Sequence, residues 1–426
     1  MSVGTDGPRG HMEMVWQMAL AGREAQAALA EASPGRLAQA VRFAAGELRA
    51  RSDGVARANA EDLEAAADSG LPPALVSRLG FDRQKALRRA DVLDEIAAIP
   101  SPLWRSDVVR TLDNGLRAGK LRCPMGVIAM VYEARPHVTL NAGALCLRTA
   151  NAAILKGGSE VARTNEFLGH LWHRALDRAG LPTAAVQVMN LPGREAVEGL
   201  VSAAGYVDLI IPRGGKALIE AVSRAATVPV IKHFAGNCHV YVDRDADINR
   251  AVDICVDGKT LMPEVCNATE SVVVAEQSAS DFMPALCTAM ASRGVEVRGC
   301  PQAREHCPAV AAASEEDFAA EYLDLILSVK VVETLDEAIE HINRYGSHHT
   351  DSIVSPSQQR IARFVRAVDS AVVLSNASTM FCDGNTLGMG AEIGISTDKL
   401  HARGPMGMEE LTTCKWVISG DGQVMG

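Results

Sequence analysis

The sequence has few aromatic residues, no long hydrophobic run and no excess of positive charge. Aromatic side chains make up 4% of the 426 residues, although hydrophobic residues make up 48%. The longest apolar run covers residues 125–132, which is far short of the roughly 20 residues that a membrane-spanning helix needs. The 42 Lys and Arg residues against 52 Asp and Glu residues give a net charge of −10. This charge argues against nucleic acid or an anionic membrane as the main partner.

Cysteine pairs of the C-x-x-C type are also lacking. The 10 cysteines are spread along the chain, and no secretory leader is recognisable in front of them. This pattern predicts reduced thiols in a cytoplasmic protein, with neither a disulfide framework nor a zinc site. His348 and His349 are adjacent, so in a strand they would point to opposite faces and would not share a metal. We therefore expect no metal site, whereas a single reactive cysteine remains compatible with the pattern.

The order of the apolar segments predicts an α/β protein. Residues 12 to about 100 follow a helical period. Beyond them, two series of short strand candidates alternate with helical segments, as expected for two doubly wound parallel sheets. The first series has strands at residues 126–131, 152–155, 185–189, 207–211 and 228–231. The second has strands at residues 239–242, 271–275, 295–297, 326–332, 352–354 and 371–374.

Two strand–helix turns have the composition of a phosphate-binding site. One is Lys156-Gly157-Gly158-Ser159 and the other is Pro212-Arg213-Gly214-Gly215. Glycine lets backbone N–H groups approach an anion, and the N-terminus of a helix adds a favourable field. Neither turn has the G-x-G-x-x-G or Walker pattern. The residues alone are therefore compatible with a dinucleotide site and with two ordinary turns.

A cysteine in a polar turn is the candidate nucleophile. Cys266 lies just before the strand candidate at 271–275, whereas Cys146 and Cys255 lie in apolar helical segments. A thiol in a polar turn can be exposed and reactive, while a thiol in an apolar run is normally inert packing. Cys123 is a weaker candidate of the same kind. This context alone leaves both a catalytic and a structural role open for Cys266.

Six longer segments match one known family. They are VYEARP at 131–136, IPRGG at 211–215, GSHHTD at 346–351, NAST at 376–379, KLHARGPMG at 399–407 and LTT at 411–413. With them, residues from about 15 to 420 resemble the γ-glutamyl phosphate reductase family of the aldehyde dehydrogenase superfamily. The resemblance implies an aldehyde-dehydrogenase-like α/β fold. It would have two doubly wound domains, a Rossmann-like cofactor domain and a catalytic domain, plus a small oligomerisation arm.

The resemblance also implies domain boundaries and a reaction. The N-terminal helices and the dinucleotide-binding domain would cover residues 12–236, with residues 121–140 contributing to the arm. The catalytic cysteine domain would cover residues 237–370, and residues 371–426 would return to the cofactor domain and form an oligomerisation and active-site tail. The implied reaction is NADPH-dependent reduction of L-glutamyl 5-phosphate to L-glutamate 5-semialdehyde, the second step of proline biosynthesis. The implied partners are a second copy in a dimer or tetramer and, through functional coupling, glutamate 5-kinase.

Individual site residues follow from the same resemblance. Cys266 takes the place of the family's nucleophile, which attacks the acyl phosphate and forms a thioester. His233 stands where hydrolytic members carry their water-activating glutamate, so the sequence lacks that base. Cofactor binding would fall to Lys156, Gly157, Gly158, Ser159, Pro212, Arg213, Gly214, Gly215 and Glu321. Substrate binding would fall to Arg135, His137, Asn267 and Arg403.

Three positions depart from the family pattern. His137 replaces an asparagine, and Met262 and Met380 replace arginines. Methionine cannot replace a bidentate donor, so these changes would weaken phosphate or carboxylate binding if the two positions line an anion site. Three alternatives therefore stay open. They are a hydrolytic NAD(P)-dependent aldehyde dehydrogenase, an acyl-phosphate reductase paralogue with an altered substrate, and a non-catalytic binding protein of the same fold.

Overall fold

Helices and strands alternate along the chain in a computed structural model that describes residues 8–71, 76, 78–191, 193–232 and 235–425. The helices are α1 (Pro8–Glu31), α2 (Pro34–Ala50), α3 (Ser52–Asp68), α4 (Arg83–Ala98), α5 (His137–Arg148), α6 (Ala162–Arg178), α7 (Arg194–Val201), α8 (Lys216–Ala225), α9 (Ile248–Thr260), α10 (Glu276–Ala291), α11 (Pro301–His306), α12 (Glu315–Ala319), α13 (Leu335–Tyr345) and α14 (Gln358–Ala367). The strands are β1 (Ser106–Thr111), β2 (Arg117–Pro124), β3 (Val127–Tyr132), β4 (Ala152–Lys156), β5 (Val186–Val188), β6 (Leu209–Arg213), β7 (Cys238–Val242), β8 (Thr269–Ala275), β9 (Glu296–Gly299), β10 (Ala311–Ala312), β11 (Ile326–Val332), β12 (Thr350–Val354), β13 (Val372–Ser375), β14 (Gly394–Ser396), β15 (Gly404–Met406) and β16 (Thr412–Ser419). None of the helices in the described ranges is long and apolar enough to cross a membrane.

The first parallel sheet has the strand order β5-β4-β3-β6. Its strands are almost entirely apolar, as expected for a parallel sheet that helices cover on both faces. One face packs against α2, α5 and α6, and the other packs against α1, α7 and α8. The strand predicted at 228–231 is reduced to one bridge between Val230 and Ile210, because the chain runs beside β6 there for only one residue.

The second parallel sheet has the order β10-β9-β11-β8-β7-β12-β13. Helices α9 and α10 cover one face and α13 and α14 cover the other, so this sheet is doubly wound as well. All of the predicted strands of the second series are present. Strand β13 pairs in parallel with β12, so the sheet continues past the domain boundary predicted at residue 370.

The tail of the chain returns to the first sheet. Strands β14 and β15 form an antiparallel pair, and Ile393, Met406 and Leu411 are buried in the core around the first sheet. Strand β16 then pairs with β2, and β2 pairs with β1, in a separate antiparallel sheet. Of the predicted arm segment 121–140, only residues up to Pro124 lie in this sheet, because β3 belongs to the first parallel sheet.

Candidate active site

The turn that carries Cys266 lies between α9 and β8 and is fixed by its neighbours on the β7 side. Cys266 is half-buried. A side chain on Gly236 would place its Cβ 1.8 Å from the carbonyl oxygen of Cys266, so only glycine allows this close approach. The Cys238 thiol donates a hydrogen bond to the same carbonyl over 3.3 Å. The backbone of the cysteine turn is therefore held from one side while the thiol remains partly accessible.

Asn267 holds the other side of this turn. Its side-chain amide donates to the carbonyls of Thr379, Met380 and Cys382 at 3.4, 3.3 and 3.1 Å. The residue is only 7% exposed. Its amide nitrogen thus links the cysteine turn to the tail, and its role in substrate binding stays a prediction. Within the described ranges, the backbone N–H groups of Cys266 and Asn267 have no protein acceptor, which makes them candidate oxyanion donors.

Glu321 lies beside the same turn. Its carboxylate accepts a hydrogen bond from the N–H of Gly236 at 2.6 Å. Burial raises the pKa of Glu321, while the Gly236 N–H and the charge of His349 oppose this rise. The residue predicted to contact the cofactor is therefore connected to Cys266 through a single glycine.

Positive charge approaches Cys266 from the loop that follows β3. Burial lowers the pKa of the Arg135 guanidinium, the positive charges of Arg213 and Arg78 lower it further, and the Cys266 thiolate opposes the shift. Arg135 follows Ala134, whose φ of 46° lies in the left-handed region. Arg135 lies within electrostatic range of the sulfur.

His137, the first residue of α5, lies in the same positive region. Burial lowers the pKa of His137 to about 3, and the charges of Arg89, Arg135, Arg213 and Lys85 contribute to this shift. The imidazole is therefore neutral at pH 7 and can accept or donate a hydrogen bond without adding charge. Sequence reasoning singled out Arg135, His137 and Arg213, and the structure brings these three together.

Arg403 is held at a different place. Its guanidinium donates to the Asp369 carboxylate at 2.9 Å and to the Asp369 carbonyl at 3.1 Å. Lys399 reaches the same carboxylate at 2.5 Å. The contacts with these two cations lower the pKa of Asp369. Arg403 thus ties the tail to the segment that follows α14, and its contact with substrate stays a prediction.

The two glycine turns lie at one edge of the first sheet. Strands β4 and β6 both flank β3, so the carboxyl ends of the three strands bring the two turns and the Arg135 loop side by side. Ligands of open α/β sheets bind at this edge. The Lys156 amine donates to the Gly157 carbonyl at 2.7 Å, and burial lowers its pKa while Glu160 opposes the shift.

Two carboxylates that sequence reasoning did not single out shape these turns. The Gly215 N–H donates to Glu133 at 2.9 Å, and the Ala134 N–H donates to Glu160 at 2.7 Å. A Cβ on Gly214 would come within 2.4 Å of Glu133. A cavity of about 560 Å³ opens here, between α3, the Glu133–Ala134 loop and the first glycine turn. Only the folded chain places Glu133 beside Gly215, which lies 82 positions further along the sequence.

The two methionines predicted to replace family arginines have different surroundings. Met262 lies in the turn after α9 and is 45% exposed, whereas Met380 lies in a short helical turn and is 8% exposed. The Met380 carbonyl accepts from Asn267, so this residue is next to the cysteine turn. His233 lies outside the described residues.

A buried ion pair was also missed by sequence reasoning. Lys259, near the end of α9, contacts Glu270 of β8 at 2.5 Å, and both side chains are 0% exposed. Glu270 also accepts the Leu323 N–H at 3.1 Å. Burial raises the pKa of Glu270 and lowers that of Lys259, while their mutual attraction opposes both shifts. The pair braces the two elements that flank Cys266.

Comparison with known proteins gives consistent matches over most of the chain. The model of the aldehyde dehydrogenase family matches residues 5–324. The γ-glutamyl phosphate reductase of Desulfatibacillum aliphaticivorans is 45% identical over 412 residues, which cover 97% of this chain and 99% of that protein. The enzyme of the same name from Moorella thermoacetica is 46% identical over 402 residues, 94% of this chain and 96% of its own.

A solved structure agrees with these sequence matches. The crystal structure of γ-glutamyl phosphate reductase from Thermotoga maritima superposes with a TM-score of 0.95 at 37% identity, covering 97% of this chain and 100% of that one. This likeness confirms the aldehyde-dehydrogenase-like α/β fold predicted from the sequence.

Proposed function

Because this chain belongs to the γ-glutamyl phosphate reductase family of the aldehyde dehydrogenases, we propose that it reduces L-glutamyl 5-phosphate to L-glutamate 5-semialdehyde and phosphate with NADPH. The observation that carries the proposal is the half-buried Cys266 thiol within electrostatic range of Arg135. An acyl phosphate needs a nucleophile for its carbon and positive charge for its leaving group. Cys266 supplies the nucleophile, and Arg135 supplies the positive charge.

The protein's own groups can perform the first half of the reaction. The Cys266 thiolate forms a bond with the acyl carbon, the carbon–oxygen bond to phosphate breaks, and the acyl group remains on sulfur as a thioester. The backbone N–H groups of Cys266 and Asn267 stabilise the oxyanion, and one such donor contributes about 2.7–4 kcal/mol. Arg135 stabilises the departing phosphate.

The nicotinamide cofactor fits the edge of the first sheet. NADPH, when bound, supplies the hydride that reduces the acyl group on Cys266. Helix α8 begins at Lys216, and its N-cap residue Gly215 provides no side-chain cap, so the first N–H groups of the helix can bind a pyrophosphate. We propose that Lys156, Gly157, Gly158 and Ser159 hold the adenosine end, that Pro212, Arg213, Gly214 and Gly215 hold the pyrophosphate, and that Glu321 holds the nicotinamide ribose.

The reverse reaction tests the proposed function directly. With glutamate 5-semialdehyde and NADP⁺, phosphate or arsenate should strongly accelerate steady-state NADPH formation, because either anion accepts the acyl group from the thioester. A hydrolytic aldehyde dehydrogenase would form NADPH without phosphate and would thereby replace the proposal. Calorimetric binding of NADPH with no turnover in either direction would indicate the non-catalytic alternative.

The first glycine turn predicts the choice of cofactor. Lys156 lies at the end of β4 beside two glycines, where its amine can meet a 2′-phosphate. A charge-assisted contact contributes roughly 1.5–3 kcal/mol, so Lys156→Met should weaken NADPH binding about ten- to hundredfold. Affinity for NADH, which lacks that phosphate, serves as the internal control and should not change. Equal catalytic efficiency of the wild type with NADPH and NADH would contradict the prediction.

The antiparallel sheet of β1, β2 and β16 supports a homo-oligomer. Nearly every residue of β16 is exposed, including Trp416 at 54% and Ile418 at 60%. A three-stranded sheet with apolar side chains in water is a typical docking surface. We propose that a second copy covers it in a dimer or tetramer. Sedimentation should give at least a dimer for the wild type and a smaller species for the Trp416→Glu, Ile418→Glu variant, and a monomeric wild type would contradict this.

The proposed reaction also suggests a setting in the cell. Acyl phosphates are reactive towards water, so rapid delivery from the enzyme that makes them preserves the substrate. We therefore propose that the protein is cytoplasmic and functionally coupled to glutamate 5-kinase.

A further inference from the structure

The Glu133 carboxylate occupies the space that the second glycine turn opens. Its Oε2 atom accepts a hydrogen bond from the Gly215 N–H at 2.9 Å. A Cβ on Gly214 would lie 2.4 Å from the same oxygen, and a Cβ on Gly215 would lie 3.9 Å from it. The lack of a side chain at Gly214 therefore admits a carboxylate oxygen to the place from which a phosphate oxygen would contact this turn.

The backbone keeps Glu133 beside the turn. Strands β3 and β6 pair in parallel with Tyr132 opposite Arg213. The next residue, Glu133, continues this pairing, because its N–H donates to the Arg213 carbonyl at 3.1 Å. Since the main chain is fixed in this way, the carboxylate can leave the turn by rotation of the Glu133 side chain alone.

A carboxylate that serves as a permanent helix cap is held differently in this protein. Asp62 of α3 lies at the start of α6, where it accepts the Thr164 N–H at 2.8 Å, the Thr164 hydroxyl at 2.7 Å and the Arg163 N–H at 3.2 Å. Asp62 is only 3% exposed. Glu133 is exposed, and the bond to Gly215 is the only hydrogen bond of its side chain in the part of the chain that the structure describes. The Glu133 carboxylate is therefore held weakly and can turn towards water.

The start of α8 has room for one anion. Residues 214–217 are exposed, so a ligand can reach the first N–H groups of the helix. The N-terminus of a helix favours a negative charge. A second negative charge within about 4 Å of the first is repelled. A pyrophosphate on this turn and the Glu133 carboxylate on Gly215 therefore exclude each other.

We propose that the Glu133 carboxylate is an internal competitor of the cofactor. It occupies the start of α8 before the cofactor binds, and it turns outward when the pyrophosphate takes its place. This inference rests on the proposed function, which assigns the pyrophosphate to Gly214 and Gly215. The contact raises the Kd of the dinucleotide, and its return after turnover favours release of the oxidised cofactor.

The test is the binding of NADPH and NADH to Glu133→Gln, measured by calorimetry. Glutamine keeps the size of the side chain and an acceptor oxygen but removes the charge. The Kd of NADPH should fall about three- to tenfold, and that of NADH should fall by the same factor, because both cofactors carry the pyrophosphate. Glu133→Ala, which removes the acceptor as well, should change both constants in the same direction.

Glu198→Gln is the matched control, because it removes the same charge from an exposed position of the neighbouring helix α7. Its Kd values should equal those of the wild type. An equal gain in this control would reduce the effect to general electrostatics and overturn the inference. An unchanged or higher Kd in Glu133→Gln would overturn it as well, since the carboxylate would then support the turn rather than compete for it. A gain confined to NADPH would place Glu133 at the 2′-phosphate and would also contradict the inference.

The two proposals fail in different ways. If the wild type does not bind NADPH, or if phosphate does not accelerate its oxidation of the semialdehyde, the proposed function is wrong. If the wild type does both and Glu133→Gln binds the two cofactors no more tightly, only the role of Glu133 is wrong.

Discussion

Replacing Cys266 by alanine should lower acyl-phosphate reduction by about 10³-fold or more, because no other group supplies the sulfur that carries the acyl chain. The other thiols near the turn cannot substitute for it. Cys238 and Cys382 are buried, and burial raises the pKa of both. A thiol that stays protonated is a poor nucleophile.

The measurement is the phosphate-dependent formation of NADPH, with NADPH binding followed separately by fluorescence. Binding should be unchanged in Cys266→Ala, since the glycine turns lie on the other sheet. Cys414→Ala, which removes an exposed thiol of β16, is the control and should be fully active. Retention of a tenth or more of the activity in Cys266→Ala would show that another group is the nucleophile.

Replacing Lys259 by methionine should destabilise the protein by about 3–5 kcal/mol, because it leaves the carboxylate of Glu270 buried without its partner. Both side chains are fully buried, so water cannot compensate the remaining charge. The loss should appear in urea unfolding as a lower midpoint at an unchanged slope.

A second change at the same place should restore much of this stability. In Lys259→Met, Glu270→Gln the buried charge is absent, and the glutamine can still accept the Leu323 N–H. The double variant should therefore be clearly more stable than Lys259→Met alone. Equal stability of the single and double variants would mean that the ion pair does not govern the folding of this region.

The sequence predicted the two parallel sheets because their strands are short, apolar and separated by helices. The strand at Ile326–Val332 matches its predicted bounds. Strands β1, β2 and β16 were not predicted. They are largely exposed and carry polar residues, so they have no apolar run that could identify them. Their pairing joins residues almost 300 positions apart, and only the fold shows it.

The candidate site was predictable where its chemistry is local. Cys266 stood out because its turn is polar, and the glycine turns stood out because they end apolar strands. Glu133 could not be found in this way, since it accepts a hydrogen bond from Gly215, which is distant in sequence. The hydrogen bonds of the Asn267 side-chain amide could not be predicted from the sequence either, because the backbone carbonyls that accept them lie in the tail. Contacts of this kind depend on packing, which residue types alone do not specify.

The most direct test of the central claim is a burst experiment with 5-oxopentanoate and NADP⁺ in the absence of phosphate. This aldehyde has no amine, so its thioester cannot cyclise and leave the enzyme. One NADPH should form rapidly per Cys266 and formation should then nearly stop, with peptide mapping by mass spectrometry showing the glutaryl group on Cys266. Added phosphate should restart turnover. Continuous NADPH formation without phosphate, or an acyl group on any other residue, would contradict the account.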